Sequence, residues 1–155
     1  MTPPPRTVPP TGTATFRHRA DLTRFPLVVV SAPAGAPPEA IDVESLFEAF
    51  ERALAMKKRH VTLHDLRGTR PDAARRQRFV AWFRSREADV RELLVAYAVL
   101  LDSSLHRHML TAILWAASPP CPTRAFTKRE DAEAWLLEMY ARGGGEAGFI
   151  DDTGG

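Results

Sequence analysis

The densest chemistry in the sequence lies in "VLLDSSLHRHM", Val99 to Met109, which holds an aspartate, two serines and two histidines. A serine nucleophile needs a base within hydrogen-bond reach and a third group that orients the base. Ser104 and His108 stand one helical turn apart and are neighbours on a helix. The rest of the apparatus is missing. No Gly-x-Ser-x-Gly elbow surrounds the serines, and no oxyanion-hole glycine follows them. His106 and His108 project to nearly opposite sides of a helix, so one metal ion cannot take both. A helix start accounts better for the stretch. Ser103 or Ser104 serves as N-cap, and Asp102 sits at the positive end of the helix dipole.

Other chemistry-bearing residues are more scattered. His60 and His64 share a strand face with Thr62 but spread over about 13 Å, and no third ligand accompanies them, so no metal site is expected. Asp65 is placed for function, because ligands of open α/β sheets bind outside the carboxyl ends of the strands, or else its carboxylate hydrogen-bonds the N–H groups of its own loop. The arginines Arg67, Arg70, Arg75, Arg76, Arg78, Arg84, Arg86 and Arg91 crowd one segment, which Asp72, Glu87, Asp89 and Glu92 offset only in part. A locally positive helix surface follows, suited to an acidic partner or to anionic lipid. No aromatic platform interleaves with it and the net charge is only +2, so nucleic acid is not expected.

The elements that position these residues follow from hydrophobic period and turn chemistry. "ATFRHRADL" alternates weakly and reads as an edge strand, and "PLVVVSAP" as a buried one. Ile41, Val43, Leu46, Phe47, Phe50 and Leu54 fall at helical spacing, from near Asp42 to the basic "MKKRH". "HVTLHDL" is a short strand. Pro71 and Asp72 open a helix with the stripe Phe79, Val80, Trp82, Phe83 and Val90. "ELLVAYAVLL" is a strand covered on both faces. Leu105 to Ala117 is predicted as a helix whose apolar surface includes Leu110, Leu114 and Trp115, more than one sheet face requires. "SPPCPTRAF" leads into a last short strand, and "KREDAEAWLLEMY" is the closing helix. The alternation implies an α/β fold: a mixed, mostly parallel sheet of about five strands with about four helices.

Residues 1–13 are rich in proline and read as a disordered arm, 14–142 as the domain, and 143–155 as a flexible glycine-rich tail. In the tail, Phe149 and Ile150 precede Asp151 and Asp152 and resemble a short docking motif. The lone cysteine, Cys121, excludes an internal disulfide. No apolar run reaches the roughly 20 residues that span a bilayer, and no signal-peptide core is present, so a cytoplasmic location is expected.

Three stretches resemble the STAS domain of bacterial anti-sigma-factor antagonists, and its STAS-like branch more closely. "HVTLHDLRG" is similar to the third strand and its loop. "LLVAYAVLLDSSLHRHMLTAILWA" is similar to the next strand, turn and helix. "TRAFTKREDAEAWL" is similar to the closing strand and helix. The resemblance covers about Thr15 to Tyr140. It implies a STAS-like fold and a phosphoacceptor after the third strand, at the N-terminus of the second helix. That position here is "DLRGTRPDAARR", where Thr69 is the only hydroxyl, flanked by Arg67 and Arg70. The Asp102-Ser103-Ser104 triplet falls one β-α unit later.

The functional expectation is a non-enzymatic bacterial regulatory or scaffolding module, without cofactor, acting through a protein partner. Its candidate loop site is Asp65, Arg67 and Arg70, with Thr69 as phosphoacceptor. Its candidate interaction surface is Leu110, Leu114, Trp115, Arg75 and Arg78, and self-association to a homodimer follows from the surplus apolar surface. The alternative is a carrier of a small apolar or lipid ligand, because STAS-like sequences share gross architecture with CRAL-TRIO lipid carriers. An interior pocket of roughly 300–1,000 Å³ would mark it.

Overall fold

The run Leu27-Val28-Val29-Val30 forms the strand around which the domain is organised, as β-branched side chains favour the pleated, half-buried surface of a sheet. In the computed structural model, which describes residues 16–69, 73–103, 119–145 and 148–150, this is strand β3 (Leu27–Ser31), buried along nearly its whole length. Before it come β1 (Phe16–Arg17) and β2 (Arg19–Asp21). After it come a 3-10 turn (Pro38–Ala40), β4 (Ile41–Asp42), helix α1 (Val43–Ala55) and β5 (His60–Asp65). Helices α2 (Ala73–Ser85) and α3 (Glu87–Leu93) lead to β6 (Leu94–Leu100). The described chain closes with β7 (Pro122–Phe126), α4 (Arg129–Arg142) and β8 (Gly148–Phe149).

The main sheet has the order β2-β3-β5-β6-β7-β8. Only β2 runs antiparallel to its neighbour; every other pair is parallel. This is the α/β fold with a mixed, mostly parallel sheet that the alternation of elements implied. The helices divide between the faces. Val28, Val30, Tyr97, Val99 and Leu101 pack under α1, α2 and α3, while Leu27, Val29, Val61, Leu63, Ala96, Ala98 and Leu100 pack against α4. From Ala96 to Leu100 successive residues of β6 thus serve opposite layers, as the period of two demands. Ala96, Ala98 and Ala132 of α4 are all fully buried, and their small side chains let the helix lie close to the sheet.

Helix α1 starts where expected: Asp42 is its N-cap, and its carboxylate accepts from the Glu44 N–H at 3.0 Å. Helix α4 ends in a left-handed Gly143 at φ 77°, with the Gly144 N–H donating to the Met139 carbonyl at 2.9 Å, a closure for which glycine is suited.

Three boundaries differ from the sequence reading. The "ATFRHRADL" stretch is two strands rather than one: β1 pairs with β4, β2 pairs with β3, and His18 breaks the run between them. The helix drawn through Val90 is divided at Arg86, where φ −114° and ψ 17° leave helical geometry. The Ser85 hydroxyl caps α2 by donating to the Trp82 carbonyl at 2.7 Å, and Glu87 and Asp89 supply a fresh acidic first turn. The new direction carries Val90 and Leu93 into the core. Finally, the chain past the glycines, expected to leave the domain at 143 as a flexible tail, returns as β8 on the outer side of β7. The Pro-rich arm and the helix predicted over 105–117 lie outside the described residues.

Candidate functional site

Two neighbouring parallel strands, β5 and β6, end level with each other, with Asp65 in register with Leu100. The Leu66 N–H donates to the Leu100 carbonyl at 2.9 Å and prolongs the pairing by one residue. The chain then turns. Gly68 takes φ 75°, a left-handed conformation in which glycine has no Cβ penalty. The Thr69 N–H and hydroxyl both donate to the Leu66 carbonyl, at 3.1 and 2.6 Å. From the other loop, Asp102 reaches across, and its Oδ2 accepts the Gly68 N–H at 2.7 Å. The "DLRGT" stretch and Asp102, separate in sequence, therefore meet at the carboxyl ends of the central strands.

Asp65 anchors this cluster. Its Oδ1 accepts from the Arg67 backbone N–H and from Arg67 Nε, each at 3.0 Å, and its Oδ2 accepts from Nη2 at 2.8 Å. Partial burial pushes the Asp65 carboxyl up, but the hydrogen bonds and charge of Arg67 outweigh it and hold the group below the usual carboxylate range. The Arg67 guanidinium is raised chiefly by its hydrogen bonds to Asp65, with further help from the charges of Asp102 and Glu130. A bidentate guanidinium–carboxylate pair amid two more acids offers little to an incoming anion. Thr69, the phosphoacceptor candidate, stands with its oxygen bonded inward and with Arg67 already committed. Arg70 lies outside the described residues.

The arginines of the interaction surface are also engaged. Arg75 Nη2 donates to the Pro38 carbonyl at 2.9 Å and pins α2 to the 3-10 turn. Arg78 pairs with Glu44 and lies over the Phe47 ring, 5.6 Å from its centroid. Arg76 and Arg84 remain exposed on the outer face of α2. Leu110, Leu114 and Trp115 lie outside the described residues, as does the side chain of Phe149. The Ile150 side chain is exposed, while its N–H is bonded to the Thr123 carbonyl at 2.7 Å.

Below the loops, the polar face of β5 is buried under aromatic rings. His64 Nδ1 lies 2.5 Å from the Tyr97 hydroxyl, and among the described residues its Nε2 has no hydrogen-bond partner. Burial lowers His64 to about 3, so the ring is neutral. Phe50 stands edge-on to it at 5.5 Å and also touches Trp82, Phe83 and Tyr97. His60 is lowered by burial too, and its Nδ1 lies 2.9 Å from the Lys58 carbonyl. A cavity of about 10 Å³ lies among Phe50, His60, Thr62, Trp82, Phe83 and Tyr97, room for about one water. Among the described residues no group of three or more His, Cys, Asp or Glu side chains is disposed to hold a metal ion. No helix of the described residues is long and apolar enough to cross a membrane.

The sequence places Asp65 at a strand end with its carboxylate available to its own loop's N–H groups, as the Arg67 N–H bond shows, but indicates neither the pairing with the Arg67 guanidinium nor Asp102 at Gly68. Sequence reasoning missed the His64–Tyr97 pair, for which polar residues on alternate positions of two buried strands were the available signal.

A family model described as a domain of unknown function (DUF7793) matches residues 78–140, from within α2 to the last turn of α4. No curated protein and no solved structure matches the chain.

Proposed function

We propose that this protein is a STAS-like, non-enzymatic regulatory or scaffolding module of the bacterial cytoplasm that acts by contact with a protein partner, itself or another. The observation that carries this reading is the state of the loop cluster. Asp65 is spent on Arg67, Asp102 on Gly68, and the Thr69 hydroxyl on Leu66. Such a cluster shapes a rigid surface and leaves no activated nucleophile or base among its members. Among the described residues the cavity beneath β5 is about 10 Å³, too small for an apolar or lipid ligand, which would need roughly 300–1,000 Å³. The exposed Arg76 and Arg84 favour an acidic face on the partner.

Affinity capture from native cells, with mass spectrometry of proteins and lipids, tests this. A protein recovered in near-stoichiometric amount by the wild type and lost with Arg76→Glu/Arg84→Glu is the expected result. Stoichiometric lipid without protein would favour the carrier and sink the proposal.

A further inference from the structure

Two helix ridges on opposite faces of the sheet carry opposite charge at the same spacing. On α2, Arg76, Val80 and Arg84 recur at every fourth residue and form one row along the helix. The arginines are exposed, and Val80 between them is half-buried. Among the described residues neither arginine has an ion-pair partner, whereas Arg78 is held by Glu44, and Arg86 by Glu51 and Asp89.

On α4 the same interval gives Glu130, Ala134 and Glu138, all exposed. Among the described residues Glu130 has no ion-pair partner, and Glu138 pairs with Arg142 alone, at 3.6 Å. Both members of that pair are largely in solvent, where such a bridge is worth little. Glu133, one row away, is held by Arg24 and Arg129 and takes no part. Leu137, 44% exposed, stands beside Ala134 and widens the apolar strip.

In each ridge the two charges are eight residues apart, about 12 Å at the rise of an α-helix. An antiparallel contact between α2 of one copy and α4 of another therefore sets Arg84 against Glu130 and Arg76 against Glu138, with Val80 over Ala134 between them. That direction also suits the helix dipoles, since it brings each helix end to the opposite pole of its neighbour. The helices cover opposite faces of the sheet, so one molecule cannot close the contact on itself. Each copy offers one surface of each kind, and the contact repeats head to tail.

We propose that the acidic partner of the α2 arginine ridge is the α4 ridge of a second copy of this chain, so that the protein assembles head to tail. The inference rests on the reading of the protein as a contact module and names its partner.

Sedimentation of the full chain tests this. At about 0.01 M salt, where charges act over roughly 30 Å, the mean mass should rise to about twice the monomer's by about 100 μM. At about 1 M salt, where they act over roughly 3 Å, it should return to the monomer. Arg76→Glu/Arg84→Glu and Glu130→Lys/Glu138→Lys should each stay monomeric. Their equimolar mixture should associate again, because the acids of the first variant meet the arginines of the second. A monomeric wild type, variants that associate alone, or a mixture that does not associate overturns the proposal. If one variant does not fold, the other variant and the salt series decide. If the purified chain stays monomeric while Arg76→Glu/Arg84→Glu still loses a captured cellular protein, the acidic partner is another protein: this inference falls and the contact-module reading stands. A monomeric chain that binds phosphatidylcholine–phosphatidylserine vesicles through Arg76 and Arg84 overturns it in favour of a lipid surface.

Discussion

The backbone N–H of Gly68 donates to Asp102 Oδ2 at 2.7 Å and ties the loop after β5 to the loop after β6. The partners are 34 residues apart, yet parallel neighbouring strands bring their ends together. The bond also turns the Asp102 carboxylate toward Gly68.

Asp102→Ala should cost about 1 kcal/mol, the usual net worth of one hydrogen bond at a partly solvated site. Asp102→Asn keeps an acceptor and should lose less. Urea denaturation should show a lower midpoint for Asp102→Ala at an unchanged slope. A midpoint equal to wild type would mean that water replaces the carboxylate without loss.

Tyr97→Phe removes the partner of His64 Nδ1 and leaves a buried imidazole with neither nitrogen bonded. The expected cost is about 1–3 kcal/mol, a fall in Tm of roughly 2–4 °C for each kcal/mol. Calorimetry checks this. A Tm at or above that of the wild type would show that the hydroxyl carries no stability.

Stability should fall on acidification. His18, His60 and His64 all have folded-state values lowered by burial, His64 to about 3, so below 6.5 the unfolded chain binds protons that the folded chain refuses. The contribution is complete above pH 6.5 and is lost as pH falls below it, for His64 down to about 3 and by up to about 1.4 kcal/mol per pH unit. Urea midpoints measured from pH 7.5 to 4 should decline below 6.5. A level profile from 6.5 to 5 would contradict the neutral, buried histidines.

The Cys121 thiol is buried and pushed up to about 12, with a weak contact to the Thr123 hydroxyl at 3.9 Å. Ellman's reagent should react with it slowly in the native protein and rapidly in denaturant. Rapid labelling under native conditions would show that β7 opens easily.

Truncation after Gly145 removes β8 and two bonds to β7, Gly148 N–H to Cys121 at 3.2 Å and Ile150 N–H to Thr123 at 2.7 Å. At about 1 kcal/mol each, their loss should lower Tm by roughly 4–8 °C. The bared edge of β7 should also promote aggregation. An unchanged Tm would return this segment to the role of an inert tail.

The kinds of element were legible in the sequence because they depend on near neighbours. The Val-rich run of β3, the continuous apolar run of β6, the Asp42 cap and the glycines after α4 each act over a few residues. The α/β alternation then limited the sheet to a mostly parallel one. What tertiary structure alone decided was which polar groups meet. Asp102 reads locally as a helix-start residue, and only the register of β5 with β6 brings it to Gly68. His18 reads as one residue of a strand, and only the packing of α1 puts Ser45 beneath it and divides the strand there. Arg75 and Arg78 read as a free cationic face, and only the crossing of α2 over α1 and the 3-10 turn engages them. Hydrophobic period measures how each segment faces the core, not which loop arrives beside it, so contacts made across connections are settled when the layers pack.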